Sequence, residues 1–494
     1  METRDDNRAE GFEKIRAVRI EKLEGLRSAG VNPYPYRFGV SHRVDEVIAQ
    51  EAALTEAETV VSLAGRIVAL RGHGATTFGH VQDRSGRLQF YVRKDALGPD
   101  AYATFKLVEV GDMIGIAGTV FRTKTGELTI RVDTYEVLSK ALRPLPEKWH
   151  GLQDKELRYR QRYVDLIVNP QVRWVFEKRS RLIAAVRRFL LERGYLEVET
   201  PILQPIYGGA SARPFVTHHN ALDIDLYLRI ADELYLKRLL VGGLEKVFEF
   251  CKDFRNEGID RSHNPEFTMM ECYSAYEDYT DYMDMVEDMM REVAGELGED
   301  GKVTFQGNAI DFNEPWRRVA FFDALEEATG RDFRRMDEAD VTAAAKGYGI
   351  DAAKVTSVAK GLDLIFSETV EPRLIDPTFV YDYPKALSPL AKDHRREPGL
   401  VERFEPFIGG FEVGNAFSEL NDPFEQRRRL EEQVVMRSRG DEEAQLVDED
   451  YLRALEYGMP PAAGLGLGID RLTMIFTDSR SIRDVLFFPQ MRPE

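Results

Sequence analysis

The segment VFEFCKDFRNEGIDRSHNPEFTMMECY combines arginine, aromatic and acidic residues that could bind a ligand. In it, two strand-like runs flank a polar loop. The pattern predicts an antiparallel hairpin. Period-two alternation gives four side chains of the second strand one shared face: Phe267, Met269, Glu271 and Tyr273. Arg255 ends the first strand, where its guanidinium can reach that face. Such a surface could stack a flat ring and clamp an anion, although an ordinary hairpin with a cross-strand ion pair also fits.

A glycine-rich segment near the C-terminus, GLGLGIDRL, could accept a flat ligand. Gly464, Gly466 and Gly468 alternate along a predicted strand, so one face of that strand carries no side chains. Arg471 follows at the start of a predicted helix. Because no βαβ unit follows, the pattern does not indicate a dinucleotide-binding fold. The alternative is that the glycines only allow tight packing of the strand against the helix.

The segment RFEPFIGGFEVGNAFSELND carries acidic residues on strand-like runs around a glycine turn. Glu405 and Glu412 lie on either side of that turn, where their oxygens could hold Mg²⁺ beside phosphates. Three residues of the second run share a face: Asn415, Phe417 and Glu419. With Glu271 and Tyr273 nearby, these groups would form an anionic socket for a primary ammonium. The alternative is that the acids are solvated residues on strands.

These residues need several elements to position them. Apolar and polar residues alternate between 60 and 140, which predicts a barrel of about five strands like the oligonucleotide-binding fold. We therefore expect an α+β protein with an N-terminal helical segment, a barrel, a linker and a catalytic unit, at residues 1–58, 59–145, 146–155 and 156–494. The helix RLIAAVRRFLLERG should end at Gly194, before the strand-like YLEVETPIL. The acidic and alanine-rich residues from about 280 to 375 predict an accessory helical region.

Composition indicates a large globular enzyme that is not embedded in a membrane. The chain has 494 residues, of which 43% are hydrophobic and 31% charged, and it contains no long apolar run. The charged N-terminus and the two cysteines, Cys251 and Cys272, predict a cytoplasmic protein without a disulfide framework. Because the formal net charge is -18, any RNA partner must contact local basic clusters. The short basic run LRYRQRY is interpreted as a solvated helix face.

The hairpin and the glycine-rich segment, together with the earlier GYLEVETPIL, resemble the three signature motifs of class II aminoacyl-tRNA synthetases. GYLEVETPIL resembles motif one of that class, and FRNEGIDRSHNPEFTMMECY resembles motif two. GLGLGIDRL resembles motif three. GGASARPFVTHHNALDIDLYLRIADELYLKRLLVGGLEKVFE and GGFEVGNAFSELNDP are similar to the lysyl-tRNA synthetase family in particular. The resemblance extends from about residue 60 to the terminal MRPE. It implies an anticodon-binding barrel and a catalytic antiparallel sheet flanked by helices.

The resemblance implies a role for each residue around ATP. Arg255 would clamp the α-phosphate and the lysine carboxylate, and Phe267 would stack on adenine. Arg471 would cover the other face of adenine and approach the γ-phosphate. Other residues implied to surround the nucleotide belong to the motif-two loop and to motif three: Glu257, His263, Asn264 and Gly468. Glu405 and Glu412 would bind Mg²⁺ together with ATP.

The resemblance also implies a lysine site and an anticodon site. Glu233 and the backbone near Gly209 would hold the α-amino group of lysine. The rest of the lysine pocket would comprise Glu271, Tyr273 and Glu419 at the ε-ammonium, with Asn415 and Phe417. In the barrel, the residues implied to read the anticodon of tRNA(Lys) are Phe78, Gln89 and Glu127. Motif one would form the interface of a homodimer.

Three alternative functions would each require sequence features that differ from those of a lysyl-tRNA synthetase. A relative that passes lysine to a protein or a lipid would typically lack the barrel or carry membrane segments. An aspartyl or asparaginyl synthetase would require cationic side chains where this chain has Glu271 and Glu419. A non-enzymatic RNA-binding protein on the same scaffold would be expected to lose Arg255, Arg471 or the metal-binding glutamates, all of which are present.

Overall fold

A computed structural model describes residues 2–146, 152–438 and 446–493. The chain forms two compact units, Met1–Gln153 and Asp154–Glu494. Half of the linker that the sequence predicts, residues 147–151, lies outside the described residues. No helix among the described residues is long and apolar enough to cross a lipid bilayer.

The first unit is built around a closed five-stranded barrel, as the alternation predicts. Its helices are α1 (Glu2–Ser28), α2 (Val44–Ala49), α3 (Glu51–Glu56), α4 (Lys94–Leu97) and α5 (Pro99–Phe105). Its strands are β1 (Val60–His73), β2 (Thr76–Gln82), β3 (Arg87–Arg93), β4 (Met113–Arg122) and β5 (Leu128–Ser139). The strand order is β1-β2-β3-β5-β4, and only β3 and β5 pair in parallel. This architecture is that of the oligonucleotide-binding fold.

The barrel closes because alternate side chains fill its interior and because one glycine permits a close approach. Val61, Leu63 and Ile67 of β1 are buried with Phe90 of β3 in one apolar core. At Gly118 the register between β4 and β5 shifts, and an added Cβ would lie 1.9 Å from the carbonyl oxygen of Arg131. A larger residue there would separate the two strands.

The second unit contains twelve α-helices, three short 3-10 helices and fourteen strands among the described residues. The helices are α6 (Lys155–Arg160), α7 (Arg162–Val168), α8 (Pro170–Glu192), α9 (Glu233–Val241), α10 (Tyr279–Leu297), α11 (Phe321–Thr329), α12 (Glu338–Gly347), α13 (Val358–Thr369), α14 (Pro423–Ser438), α15 (Glu449–Glu456), α16 (Ile469–Phe476) and α17 (Ile482–Val485). The strands are β6 (Leu196–Glu197), β7 (Leu203–Gln204), β8 (Val216–His219), β9 (Ile224–Leu228), β10 (Lys246–Phe254), β11 (Glu266–Ala275), β12 (Lys302–Phe305), β13 (Asn308–Asp311), β14 (Arg317–Ala320), β15 (Thr378–Pro384), β16 (Leu400–Ile408), β17 (Phe411–Glu412), β18 (Gly414–Ser418) and β19 (Ala462–Gly468).

A nine-stranded sheet forms the centre of this unit. Its order is β14-β15-β16-β18-β19-β11-β10-β6, with β17 paired to β16. The pairs are antiparallel except β14 with β15 and β10 with β6. The even-numbered residues of the β10–β11 hairpin, such as Phe248, Met270 and Cys272, pack into a core with α8, α10 and α16. The odd-numbered residues therefore face the opposite side, as the period-two pattern predicts.

The region from 280 to 375 is less uniformly helical than the sequence indicates. It contains α10, α11, α12 and α13 but also the short strands β12, β13 and β14. β14 pairs with β15 at the edge of the central sheet. Helix α10 is part of the main core, where Val286, Met289 and Met290 are fully buried. Strands of four residues are too short to produce a clear alternation, which is why the pattern did not predict them.

The interpretation of LRYRQRY as a solvated helix face is wrong for Arg162. Its side chain is buried, and its Nη1 donates to Asp165 Oδ2 at 2.7 Å. Its Nη2 donates to the backbone oxygen of Arg483 at 2.8 Å. Arg158 also bonds to Asp165, at 2.9 Å. These arginines hold α7 against the C-terminal segment, so they act within the fold.

Candidate functional site

A cavity of about 530 Å³ lies over the odd-numbered face of the central sheet. The residues that the sequence singles out and that line it are Gly209, Glu233, Arg255, Glu257, His263, Asn264, Phe267, Glu271, Tyr273, Glu412, Asn415, Phe417, Gly468 and Arg471. Segments far apart in the chain therefore meet at one place. Glu405 and Glu419 are not among the residues that line the cavity; Glu419 is fully buried, and the Glu405 side chain is 13% exposed.

The glycine strand β19 forms part of the cavity floor. Gly464 pairs with Tyr273 and Gly466 with Glu271 across the β11–β19 ladder. A Cβ at Gly464 would lie 2.2 Å from Glu419 Oε1 and 2.3 Å from the Tyr273 ring. The missing side chain at Gly464 thus makes room for two polar residues.

One end of the cavity is strongly acidic. The Tyr273 hydroxyl donates to Glu271 Oε2 at 2.9 Å, and both side chains are buried. Burial, with the Asp232 carboxylate as the next cause, raises the pKa of Glu271 well above its usual value. Burial and Glu271 likewise raise the pKa of Tyr273. A cationic ligand bound here would offset the cost of placing carboxylate charge at a buried position.

Lys237 provides a fixed cation at this end. Its Nζ donates to Glu233 Oε1 at 2.5 Å and forms an ion pair with Glu419, and the Lys237 side chain is fully buried. Burial raises the pKa of Glu419 to about 8, with Lys237 opposing the rise. Sequence reasoning missed Lys237, which lies four residues after Glu233 on α9, the spacing at which two side chains of a helix meet.

Gly209 brings a loop close to Glu233. Its φ of +89° lies in the left-handed region, and an added Cβ would lie 3.0 Å from Ala231 Cβ and 3.2 Å from Glu233 Cβ. The backbone of this loop can therefore approach the first turn of α9. The carboxylate of Glu233 and the nearby peptide groups face the same part of the cavity.

The other end of the cavity is cationic and aromatic. The Arg255 guanidinium lies 5.0 Å from the centre of the Phe267 ring. Arg471 donates from Nη1 to the Glu412 carbonyl at 2.7 Å, and its Nη2 lies 3.4 Å from His263 Nε2. Two arginines and one ring so placed can bind an anion next to a planar base.

Asp470 ties this end of the cavity to the rest of the unit. Its Oδ2 accepts the Thr268 N–H at 2.8 Å, and its Oδ1 lies 2.6 Å from Arg179 Nη1. Arg179 also donates to Thr268 Oγ1 at 3.0 Å. Helices α8 and α16 are thereby fixed to β11, which positions Arg471 beside Phe267.

Arg403 is a second pocket residue that sequence reasoning missed. Its Nε donates to Asn415 Oδ1 at 2.7 Å, its Nη1 donates to Ser388 Oγ at 2.8 Å, and it pairs with Glu405. Period-two alternation from Glu405 would have placed Arg403 on the same face of β16. The arginine fixes the orientation of the Asn415 amide in the cavity wall.

Glu405 and Glu412 supply the type of donor that Mg²⁺ prefers. Glu412 lines the cavity, whereas Glu405 accepts the Tyr383 hydroxyl at 2.7 Å. Burial raises the pKa of Glu405 to about 7, with Arg403 opposing and Glu412 adding to the rise. A cation would favour the ionised forms of both carboxylates, so the residues fit this ion.

The barrel has a cavity of its own, of about 540 Å³, which Phe78, Gln89 and Glu127 line. The Phe78 ring stacks on Tyr91 with the ring centres 4.5 Å apart. Glu127 Oε1 lies 2.9 Å from His80 Nε2. A free aromatic surface beside amide and carboxylate groups can accommodate an unpaired base.

Comparison with known proteins agrees with this geometry. The family model described as tRNA synthetases class II (D, K and N) matches residues 154–492, and that of the OB-fold nucleic acid binding domain matches residues 61–138. The lysine–tRNA ligase of Carboxydothermus hydrogenoformans is 54% identical over 477 residues, which cover 96% of this chain and 97% of that protein. The lysine–tRNA ligase of Moorella thermoacetica is 54% identical, and the match covers 97% of this chain and 98% of that protein. The lysine–tRNA ligase of Nostoc punctiforme is 52% identical, and the match covers 98% of this chain and 88% of that protein. The chain belongs to the lysine–tRNA ligase family of class II tRNA synthetases.

Proposed function

We propose that this protein activates L-lysine with ATP to lysyl-adenylate and pyrophosphate and then transfers lysine to the 3′-terminal adenosine of tRNA(Lys). The observation that carries the proposal is a single cavity with opposite ends. Glu271 and Tyr273 form an acidic end suited to an ammonium, and Arg255, Phe267 and Arg471 form a cationic end suited to a nucleotide. The identity to lysine–tRNA ligases over nearly the whole chain supports the same conclusion.

The chemistry requires positioning and charge stabilisation, with no enzyme nucleophile. The lysine carboxylate attacks the α-phosphorus of ATP in line, and pyrophosphate leaves. Arg255 would hold both the carboxylate and the α-phosphate, and Phe267 would hold adenine. Arg471 would stabilise charge on the leaving phosphates. Such preorganised cations act most strongly in a site from which water is excluded.

The lysine substrate would be held at both of its amino groups. Glu233, together with the backbone near Gly209, would bind the α-amino group. Glu271, Tyr273 and Glu419 would receive the ε-ammonium, with Asn415 and Phe417 closing the pocket. The nucleotide would be enclosed by Glu257, His263, Asn264 and Gly468.

We also propose that Glu405 and Glu412 hold Mg²⁺ when ATP is bound. The ion would neutralise phosphate charge and so favour departure of pyrophosphate. Within the chain, Arg471 already lies 3.1 Å from Glu412 Oε2, so its guanidinium and the carboxylate orient each other. Removal of Glu405 would leave Arg403 with one partner fewer, and removal of Glu412 would do the same to Arg471.

The finer assignments extend the same proposal. The barrel at about 59–145 would bind the anticodon through Phe78, Gln89 and Glu127, and the catalytic domain would begin near residue 156. Two chains would associate through motif one, because apolar side chains are exposed in it (Leu196, Ile202 and Leu203) and on the adjoining strands β8 and β9 (Val216 and Ile224). Cytoplasmic location follows from the proposed substrates.

The first test is lysine-dependent exchange of labelled pyrophosphate into ATP by the purified chain, with each other amino acid as a control. We expect exchange with lysine alone and charging of lysine tRNA. Glu271→Gln should abolish lysine selection, and Glu266→Gln, on the same strand but exposed, should not. Exchange without tRNA charging would point to another lysine acceptor, and lack of exchange with lysine would refute the proposed pocket.

A further inference from the structure

A buried cluster behind the acidic end of the cavity has the composition of a metal site. Asp232, Cys251 and Asp253 are each fully or almost fully buried, and one ligand atom of each lies within 4.8 Å of the others. Asp232 lies directly before α9, and the other two residues lie on the odd-numbered face of β10. None of them has a role in the reaction proposed above.

The distances within the cluster suit tetrahedral coordination. Cys251 Sγ lies 3.4 Å from Asp232 Oδ1 and 3.7 Å from Asp253 Oδ2. A Zn²⁺ ion binds sulfur at about 2.3 Å and carboxylate oxygen at about 2.0–2.2 Å, so two such ligands at a tetrahedral angle are roughly 3.5 Å apart. The two distances from Cys251 Sγ are therefore already those of ligands to a shared ion, and the two carboxylates lie within 4.8 Å of each other.

The hydrogen bonds of the described residues do not satisfy these three side chains. The Cys251 thiol has one proton and three acceptors, since the Met269 carbonyl oxygen also lies 3.7 Å away. Asp253 Oδ1 is buried without a hydrogen-bond donor among the described residues, and the partners of the Asp232 carboxyl group there are the Cys251 thiol and the Glu271 carboxyl group. Unsatisfied carboxylate oxygens at zero exposure are costly and indicate a missing cation.

Neighbouring charges increase the need for a cation. Arg229 Nε lies 3.5 Å from Asp253 Oδ1, but the same side chain is bonded through Nη1 to Glu249 at 2.7 Å and through Nε to the Lys252 carbonyl at 2.9 Å. On the other side, Asp232 is in hydrogen-bond contact with the Glu271 carboxyl group. Burial raises the pKa of Asp253 to about 7 and that of Asp232 to about 6. Carboxyl groups outnumber the basic groups that face them.

We propose that Asp232, Cys251 and Asp253 bind a borderline divalent transition metal such as Zn²⁺, separate from the Mg²⁺ that accompanies ATP. A thiolate ligand favours such an ion over Mg²⁺, which prefers oxygen donors only. The ion would join the start of α9 to the end of β10. It would thereby fix Glu233, the residue after Asp232, relative to Arg255, which follows Asp253 by two residues.

Cobalt provides a spectroscopic test that does not involve lysine or tRNA. The full chain would be produced in minimal medium with Co²⁺ replacing Zn²⁺, and metal content and near-ultraviolet absorption would be measured. We expect one Co²⁺ per chain with a thiolate-to-cobalt charge-transfer band. The band should disappear in Cys251→Ser and remain in Cys272→Ser, which removes the other buried thiol on the opposite face of the hairpin.

A second variant tests the site independently, in case Cys251→Ser does not fold. Asp253→Asn keeps the thiol but removes one ligand charge, and we expect at least a tenfold loss of bound Co²⁺ at equal circular dichroism. A wild-type protein without the charge-transfer band would overturn the proposal. The same holds for a band that persists in Cys251→Ser, or for a metal content unchanged in Asp253→Asn.

Discussion

At the scale of single residues, Lys237 and Glu419 make the acidic end of the cavity sensitive to pH. Burial raises the pKa of Glu419 to about 8, so below this value the carboxyl group is increasingly protonated. A protonated carboxyl attracts an ammonium much less than a carboxylate does. Lysine should therefore bind more tightly as the pH rises through the pKa of Glu419.

We expect the KM for lysine in pyrophosphate exchange to fall between about pH 6 and pH 9, as this titration requires. The KM for ATP, measured in the same reactions, should change less. Glu419→Gln should raise the KM for lysine and remove most of its pH dependence. An unchanged slope in Glu419→Gln would show that another group causes it.

Gly464 should control the lysine site through space alone. In Gly464→Ala, the new methyl group would collide with Glu419 Oε1 and the Tyr273 ring. We expect the KM for lysine to rise by about tenfold or more, which corresponds to about 1.4 kcal/mol. The KM for ATP should remain within about twofold of the wild-type value, because adenine would bind at the other end of the cavity.

Gly466→Ala is the matched control for this variant. The added methyl group would meet the flexible Met269 Cε at 3.2 Å, and that side chain can move aside. Its KM for lysine should stay closer to that of the wild type. Equal effects of the two alanines would contradict the steric explanation.

The sequence predicted those pocket residues that lie on regular strands. Alternation placed Phe267, Glu271 and Tyr273 on one face, and the structure agrees. Lys237 and Arg403 were missed because their importance depends on which helix and strand meet, and local periodicity does not specify that contact. The burial of Arg162 was missed for the same reason, since two of the backbone oxygens that its guanidinium contacts, those of Arg483 and Leu486, lie more than 300 residues away in the chain.

At the scale of elements, the link between α8, α16 and β11 depends on Asp470. Asp470→Ala would leave the Arg179 guanidinium, whose side chain is only 12% exposed, without its carboxylate. Loss of one partner from a buried ion pair costs about 3 kcal/mol of unfolding free energy. We expect that loss in urea unfolding, together with a higher KM for ATP because Arg471 lies next to Asp470.

Asp288→Ala provides the control for the unfolding measurement. Asp288 pairs with Arg291 on the exposed side of α10, so its removal should change the unfolding free energy by less than about 0.5 kcal/mol. If both variants lose the same stability, the Asp470 link is no stronger than a surface ion pair.

Elements with strong periodicity were predicted well, and short ones were not. The barrel strands and the β10–β11 hairpin alternate over seven or more residues and are found as expected. Strands β12 to β14 have four residues each; β12 and β13 pair only with each other, and the partner of β14, β15, lies more than 50 residues later in the chain. Local pattern alone also did not indicate that α10 is a core helix, because acidic residues cover its exposed face.

At the scale of the whole molecule, recognition of tRNA and activation of lysine should be separable. Phe78→Ala would remove the ring beside Tyr91 in the barrel cavity. Loss of stacking on one base corresponds to about 1–3 kcal/mol, so kcat/KM for tRNA should fall roughly 5- to 150-fold. Pyrophosphate exchange should be unchanged. Tyr36→Ala, at a fully exposed tyrosine of the same unit, should affect neither reaction.

The proposed dimer can be tested by hydrodynamics. Leu203→Asp and Val216→Asp introduce charges at exposed apolar positions near motif one. We expect the wild type to sediment as two chains and these variants as one, because the charges would be buried in the interface. Tyr457→Asp changes an exposed aromatic residue elsewhere and should remain dimeric. A wild type that sediments as one chain at micromolar concentration would refute the interface.

The arrangement around Lys237 also sets a condition of electroneutrality. Lys237 pairs with Glu233 and Glu419, and Glu271 lines the same cavity, so these four groups would carry two net negative charges if all were ionised. Lysine brings two ammonium groups, and its carboxylate would be bound by Arg255. An amino acid with an uncharged side chain of equal length would leave one negative charge uncompensated in a dry pocket. The cavity would thus discriminate by the valence of its ligand as well as by its shape.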